Sequence, residues 1–401
     1  MRAALVTLHR WFGLGAALFL FIAGATGAVI SWDHELDEWL NPQLYRTSSA
    51  GAALSPLTLA QRVEAADPRV RVTFMPLAAE PGRAFTVFVQ PRVDAATGHP
   101  HEPGYNQVAL DPVTGAIQAR REWGKVSLSR ENLLPFLYKL HYTMHIPEGF
   151  GIDLGLWLMG IVGIVWVFDT LIALAISIPS RPQWKRSFAF RWRGGRHRLT
   201  FDLHRSGAMW IYPLVLMIAV TSVAMNLRDP VMRPIVSWFS TLSPSPFASR
   251  TPAAELQPIE PRVSAEAVLQ LARTEAARRG WTDPPGGLFL STDAGVWAVG
   301  FYTPERSHGD VGLGNPWLYV DSASGELVGA DVPGSGSAGD VFLQSMFPLH
   351  SGRIVGLPGR VLMSAMGVLV AMLSVTGVLI WARKRRSRRL AATGQPAPLA
   401  K

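Results

Sequence analysis

Cysteine is absent from the chain of 401 residues. Its absence excludes disulfides, thiolate metal sites, iron–sulfur clusters and covalent haem attachment through a C-x-x-C-H motif. Any cofactor must therefore be held by other side chains, and the ten histidines are the most obvious supply of ligands.

Charged residues are also scarce, at 17% of the chain against 48% hydrophobic residues, which argues against a purely soluble protein. A helix needs about 20 apolar residues to cross a hydrocarbon layer of about 30 Å. The first apolar window is unlike a signal peptide, because SWDHELDEWL follows where small residues would mark a cleavage site. Four windows have the required length, and they predict a four-helix transmembrane core: 12–32, 153–178, 206–226 and 358–381.

Basic residues are concentrated at the ends of these windows. Segments 1–11, 179–204 and 382–401 hold 16 of the 38 Lys and Arg residues and one acid, Asp202. The rest of the chain has 22 basic and 28 acidic residues. Because basic segments stay in the cytoplasm, both termini and the 179–204 loop are predicted to be cytoplasmic. Nucleic-acid binding is disfavoured, since the basic residues do not share one fold surface.

The resulting layout contains two long external segments that repeat each other. Each has an amphipathic helix, a strand, and a strand–turn–strand unit, VALDPVTGAI in one and LYVDSASGEL in the other. Asp111 and Asp321 are predicted to cap these turns; a calcium site is the alternative. The predicted segments are an N-terminus with the first span (1–32), an external segment (33–151), a second span (152–178), a basic loop (179–204), a third span (205–226), a second external segment (227–357), a fourth span (358–381) and a basic tail (382–401).

Histidines stand at the start of every apolar window. His9 and His204 precede the first and third windows, which run outward, so both lie at the cytoplasmic level. His141, His145 and His350 precede the second and fourth windows, which run inward, so they share the external level. The simplest alternative is that these histidines are ordinary interfacial residues.

The phrases around these histidines resemble the PepSY-associated transmembrane family. They are LHRW, LYKLH, DLHRSG and PLHSGRIVGLPGR, together with two D-x-x-[TS]-G hairpins, and they extend from residue 7 to about 385. Within the family, the chain is similar to FoxB-type siderophore reductases of the bacterial inner membrane. The resemblance implies an α-helical integral membrane protein, with two α+β PepSY-like periplasmic domains on a four-helix core. It also implies two b-type haems and the release of iron from ferric siderophores.

The two histidine levels agree with that implication, because a bis-imidazole haem needs two facing histidines at one depth. His9 pairs with His204, and His350 pairs with His141 or His145. LYKLH favours His141. Depth favours His145, because 33 residues separate His350 from Arg383, against 36 from His145 and 40 from His141 to Arg181.

Three further residues are candidates near the haem sites. Arg10 and Arg205 could pair with haem propionates, or could simply keep these ends of the chain in the cytoplasm. Asp169 is an acid deep within a span, where carboxylates are costly and often functional. It could relay protons, or it could hold neighbouring helices together by a hydrogen bond.

The function expected from these features is a haem-dependent ferric-siderophore reductase in the bacterial inner membrane. Membrane quinol or a cytoplasmic flavoprotein would donate the electrons, and a ferric siderophore outside would accept them. Ferric iron bound by hard oxygen ligands is held less tightly once it is reduced. Two alternatives remain: a non-redox PepSY membrane protein that binds a periplasmic peptidase or another partner, and a transporter of haem or metal. Membrane lipid is an expected partner, and nucleic acid is not.

Overall fold

The computed structural model describes residues 1–178, 181–245, 247, 250, 253, 257–307 and 311–392; the end of the predicted basic tail, 393–401, lies outside them. The chain divides into two compact units. A helical unit comprises the described residues of Met1–Trp32, Leu137–Trp238 and Ser345–Lys401. A sheet unit comprises those of Asp33–Phe136 and Phe239–Gln344.

Helices supply most of the helical unit and flank the sheet of the other unit. The bounds in the described residues are α1 (Arg2–Ile30), α2 (Asp33–Leu40), α3 (Pro56–Ala66), α4 (Leu133–Thr143), α5 (Leu154–Ser177), α6 (Arg196–Trp210), α7 (Tyr212–Asn226), α8 (Arg233–Ser237), α9 (Ala265–Arg278), α10 (Ala338–Ser351) and α11 (Leu357–Ala392).

Three of these helices, α1, α5 and α11, are each long and apolar enough to cross a membrane. Together α6 and α7 would make a fourth crossing, but they are bent by 74°. The sequence predicted one continuous span over 205–226. The break falls at Ile211 because Pro213, in the first turn of α7, lacks an N–H and clashes with the preceding turn. Several membrane-crossing helices were predicted, and that prediction is confirmed.

Small residues let the apolar helices approach each other closely. A Cβ atom added to Gly24 of α1 would lie 2.6 Å from the carbonyl oxygen of Gly367 in α11. A Cβ atom on Gly163 of α5 would lie 3.2 Å from Cγ2 of Val223 in α7. Packing through small residues is typical of helices in membranes, where polar and van der Waals contacts replace hydrophobic burial.

One antiparallel sheet of eight strands forms the centre of the sheet unit. A two-stranded hairpin, β5–β6, lies in the helical unit. Along the large sheet the order is β10-β9-β8-β7-β1-β2-β3-β4. The strands are β1 (Val70–Pro76), β2 (Phe85–Pro91), β3 (Gln107–Leu110), β4 (Ile117–Arg121), β5 (Glu148–Gly149), β6 (Ile152–Asp153), β7 (Pro285–Ser291), β8 (Val296–Phe301), β9 (Trp317–Asp321) and β10 (Leu327–Asp331).

The two sequence repeats share this sheet and one hydrophobic core, although two separate external domains were expected. Strand β1 of the first repeat pairs with β7 of the second, and Phe74 lies opposite Phe289. Helices α3 and α9 contribute buried residues such as Val63 and Val268 to the same core. An unpaired sheet edge exposes hydrogen-bonding groups, and joining the repeats edge to edge removes one such edge from each. The sheet unit is also smaller than the expected segments 33–151 and 227–357, because residues 137–151, 227–238 and 345–357 belong to the helical unit.

The two matching hairpins have the geometry that the sequence predicted. The Oδ1 atom of Asp111 accepts hydrogen bonds from the backbone N–H groups of Val113 and Thr114. Oδ1 of Asp321 accepts from the N–H groups of Ala323 and Ser324. The N–H of Ser324 is the leading cause that lowers the pKa of Asp321 to about 2; burial partly opposes it, and Arg250 adds to it. The turn-capping role is therefore confirmed for both aspartates.

A buried ion pair fixes α2 to the sheet. Asp37 and Arg121 have side chains that are 5% and 1% exposed, with Arg121 Nη2 2.6 Å from Oδ2 of Asp37. The hydroxyl of Tyr45 donates to the same carboxylate, and so does the amide of Asn41 at 2.8 Å. Because these donors share one carboxylate, removing its charge leaves buried groups without their partner.

We expect Asp37→Asn to lower the free energy of unfolding of the sheet unit by about 3–5 kcal/mol, because the Arg121 charge stays buried without its counter-ion. The matched control is Arg46→Gln, which removes a largely exposed partner of Glu38 and should cost about 0–1 kcal/mol. Amide hydrogen exchange of β3 and β4 in the detergent-solubilised protein measures both. Equal losses in the two variants would contradict the prediction.

Candidate functional site

The helical unit brings four of the candidate histidines together in two pairs. The first pair is His9 of α1 and His204 of α6, with ring centres 6.1 Å apart and ring planes at 46°. The second pair is His141 of α4 and His350 of α10, with ring centres 6.2 Å apart and ring planes at 61°. All four rings are half-buried.

These separations match two imidazoles on opposite sides of a single metal ion. Imidazole nitrogens bind metals at about 2.0–2.1 Å, and the ring centre lies about 1.1 Å behind the nitrogen, so the ring centres should be about 6.3 Å apart. Among the described residues, no group of three or more His, Asp or Glu side chains could hold a metal ion. A pair of imidazoles alone suits haem iron, because the macrocycle supplies the other four ligands.

The second pair is oriented by neighbouring helices through its Nδ1 atoms. Nδ1 of His141 lies 2.9 Å from the carbonyl oxygen of Ala23 and 3.2 Å from Oγ1 of Thr26, both in α1. Nδ1 of His350 lies 3.0 Å from Oγ1 of Thr221 in α7. A ring that donates from Nδ1 keeps the lone pair of Nε2 available for a metal.

The first pair is oriented in the same way. Nδ1 of His204 lies 3.0 Å from the carbonyl oxygen of Leu373 and 3.1 Å from Oγ1 of Thr376, both in α11. Nδ1 of His9 lies 2.8 Å from Oδ1 of Asp169 in α5. Within the described ranges, the Nε2 atoms of all four histidines make no hydrogen bond. The four rings therefore share one arrangement, with Nδ1 held and Nε2 free to bind a ligand.

Two glycines make room for these rings. A Cβ atom added to Gly27 would lie 3.0 Å from Cε1 of His141, and one added to Gly377 would lie 3.0 Å from Cε1 of His204. Each glycine directly follows a threonine that contacts the same ring, Thr26 or Thr376. Thr-Gly steps in α1 and α11 therefore position and accommodate one histidine each.

The two pairs lie at opposite ends of α1. His9 of the first pair is near its start, and Thr26, which contacts the second pair, comes 17 residues later. In a continuous helix this spacing corresponds to about 25 Å at about 1.5 Å per residue. The separation approaches the thickness of a bilayer hydrocarbon core, about 30 Å.

Of the two alternatives for the second pair, the structure places His141 beside His350, with ring centres 6.2 Å apart. Helix α4 ends at Thr143, and Met144 and His145 both have φ of 55°, so the helix does not carry His145 round to the same face. The residue count that favoured His145 assumed one continuous helix. The chain instead turns and forms the β5–β6 hairpin before α5 begins.

Arg10 and Arg205 lie next in sequence to the first pair. The Nε atom of each is buried and has no hydrogen-bond partner within the described part of the chain. The Arg10 guanidinium lies 5.3 Å from the ring centre of Trp11, and that of Arg205 lies 5.2 Å from Phe201. The two Nε–H groups are buried donors without partners, and each belongs to a residue next in sequence to a paired histidine. Such donors suit the carboxylate groups of a bound cofactor.

Sequence reasoning missed the three threonines, although a signal for them was present. Thr26 follows His9 by 17 residues, and Thr221 follows His204 by the same 17. The repeat of helix, external segment and helix, which the sequence shows twice, therefore includes these threonines. A residue-by-residue alignment of the apolar helices would have revealed them.

A glycine-rich stretch, GSGSAG at 334–339, has the spacing G-x-G-x-x-G; it follows β10 and ends in the first turn of α10. Dinucleotide sites with this spacing occur in βαβ units of parallel strands. Here β10 pairs antiparallel with β9 at the edge of the sheet. The stretch therefore lacks the parallel βαβ unit in which this spacing forms a nucleotide site.

A family model described as "PepSY-associated TM region" matches residues 6–384. The match covers the apolar helices, the sheet unit and all four paired histidines. A search of curated proteins gives no significant match.

Proposed function

Since the chain belongs to the PepSY-associated transmembrane family, we propose that it is a b-type di-haem reductase of the bacterial inner membrane. Its termini are cytoplasmic, and it passes electrons outward to periplasmic ferric siderophores, so that iron is released as ferrous ion. The observation that carries this proposal is the pair of matched imidazole sites, with ring centres 6.1 Å and 6.2 Å apart.

The residues present fit the cofactor at both sites. His9 and His204 would hold one haem, and His141 and His350 would hold the other. Arg10 and Arg205, whose Nε atoms are buried without partners, would pair with propionates at the first site. When bound, haem supplies a one-electron ferric–ferrous couple.

The protein's own contribution is to fix the ligands before the cofactor binds. Each Nδ1 is held by a backbone carbonyl, a threonine or an aspartate of a neighbouring helix, which sets the tautomer and the ring orientation. The apolar helices around the pairs exclude water from the sites. By standing at the two ends of α1, the pairs divide the membrane crossing into shorter distances.

The chemistry outside is the reduction of bound iron. A quinol or a reduced flavin holds two electrons and so supports the reduction of two ferric ions, one electron each. The oxygen ligands of a siderophore prefer the harder ferric ion, so each reduction weakens the complex and releases the metal.

We expect the detergent-purified protein from haem-replete cells to contain about two haems per chain, because each histidine pair accounts for one. Pyridine haemochrome analysis gives the count. Extraction with acid acetone should remove all the haem, since the chain has no cysteine to attach it. The matched control is His204→Ala combined with His350→Ala, which should be colourless. A folded wild-type protein without haem would contradict the proposal and leave partner binding as the leading function.

A further inference from the structure

The four paired histidines each contact a side-chain oxygen through Nδ1, and one of these oxygens differs in kind. Threonine hydroxyls contact Nδ1 of His141, His204 and His350, whereas a carboxylate contacts Nδ1 of His9. Three positions therefore offer a neutral oxygen, and the fourth, Asp169, offers an acidic one.

The repeat identifies Asp169 as the counterpart of Thr376. Asp169 follows Gly160 in α5 by nine residues, and Thr376 follows Gly367 in α11 by the same nine. Both residues contact the histidines of the first pair, each from the apolar helix beside it. Each half of the chain thus supplies one histidine and one oxygen acceptor to the first site, and the two acceptors differ.

The chemical character of the two oxygens differs as well. The hydroxyl of Thr376 donates its proton to the carbonyl of Met372 at 2.8 Å, so its oxygen serves His204 as a neutral acceptor. Thr26 and Thr221 do the same with carbonyls of their own helices. Asp169 is 14% exposed, and in the described residues its carboxylate makes no ion pair with Lys or Arg. His9 is therefore the one paired histidine whose side-chain acceptor is a carboxyl group.

We propose that Asp169 is a positioning residue that lowers the reduction potential of the haem bound by His9 and His204. The inference rests on the proposed function. A carboxylate on Nδ1 makes the imidazole a stronger electron donor to iron, and its negative charge stabilises the ferric state. Hydrogen bonding around an axial ligand is an established means of setting a haem potential.

The consequence is a preferred direction for electrons. The first pair lies on the side of the proposed donor, and the second on the side of the ferric substrate. Lowering the potential at the first pair makes the transfer from it to the second pair more favourable.

Spectroelectrochemical titration of single-haem protein tests the inference. In the His350→Ala background, which should retain only the haem of the first pair, Asp169→Thr installs the residue of the equivalent position. We expect the midpoint potential to rise by at least about 59 mV, a tenfold shift of the one-electron equilibrium toward the reduced form. Asp169→Asn should shift it in the same direction. The reciprocal change, Thr376→Asp, should lower it.

The outcomes separate this inference from the proposed function. A wild-type protein that binds no haem overturns both. A protein that binds haem, but whose midpoint potential is unchanged or lower in the Asp169 variants, overturns only the role of Asp169. If neither Asp169 variant assembles, Thr376→Asp decides, since an unchanged or raised potential there overturns the inference. A residue that only packs the helices would move none of these potentials.

Discussion

Replacing His204 by alanine is expected to remove one haem and leave the other, and His350→Ala should remove the complementary one. The reason is that the two pairs use different histidines and lie at opposite ends of α1. Haem content should fall from about two to about one per chain in each variant, and each difference spectrum should show the haem that remains.

The assignment of His141 gives this experiment its internal control. His141→Ala should lose the same haem as His350→Ala, whereas His145→Ala should keep both, because His145 lies beyond the end of α4. Loss of both haems from His204→Ala, in protein that still folds, would contradict two independent sites. Loss of a haem from His145→Ala but not from His141→Ala would contradict the assignment.

The levels of the histidines could be predicted from sequence because a membrane imposes them. A helix that begins at a histidine and crosses the bilayer places that residue at one surface, and the basic segments indicate which surface. The choice between His141 and His145 could not be made in this way. It depends on where α4 ends, and residue counts do not reveal the turn at Met144 and His145, which both have φ of 55°.

In the sheet, too, contacts between neighbouring residues could be predicted, whereas a pairing between distant residues could not. The Asp-initiated hairpins were predictable, since the side chain of Asp111 or Asp321 acts on backbone groups two and three residues away. The pairing of β1 with β7 joins residues more than 200 positions apart. Nothing in the sequence of either strand distinguishes this edge from an exposed one, so the repeats were expected to form separate domains.

The contacts of Asp169 could not be predicted from the neighbouring sequence either. An isolated acid within an apolar helix suggested either a proton relay or a packing hydrogen bond. Its hydrogen bond to His9 links residues in two helices and appears only once the helices are packed. Comparison of the two halves then identifies Thr376 as its counterpart. Thr376 contacts His204 through a hydroxyl oxygen instead of a carboxylate.

Dithionite-reduced protein is expected to be reoxidised anaerobically by a ferric siderophore, with a ferrous chelator trapping the released iron. The substrate should react on the side of the second pair, so His350→Ala should reduce the rate to that of the uncatalysed background. His204→Ala is the matched control. It should keep this last step when reduced chemically, but lose reduction by a quinol or flavoprotein donor, because that donor needs the first pair.

The charge of the chain predicts a weak preference for neutral or cationic siderophores. Outside the three basic segments the chain has 22 basic and 28 acidic residues, so neutral or cationic ferric siderophores should react somewhat faster than polyanionic ones. The preference should fade as salt is raised, because charges further apart than about 8 Å are screened at physiological ionic strength. Reduced protein that keeps its ferrous spectrum through prolonged incubation with siderophores of all three charge types would exclude the reductase function. A non-redox role in binding a periplasmic partner would then explain the sheet unit better than electron transfer does.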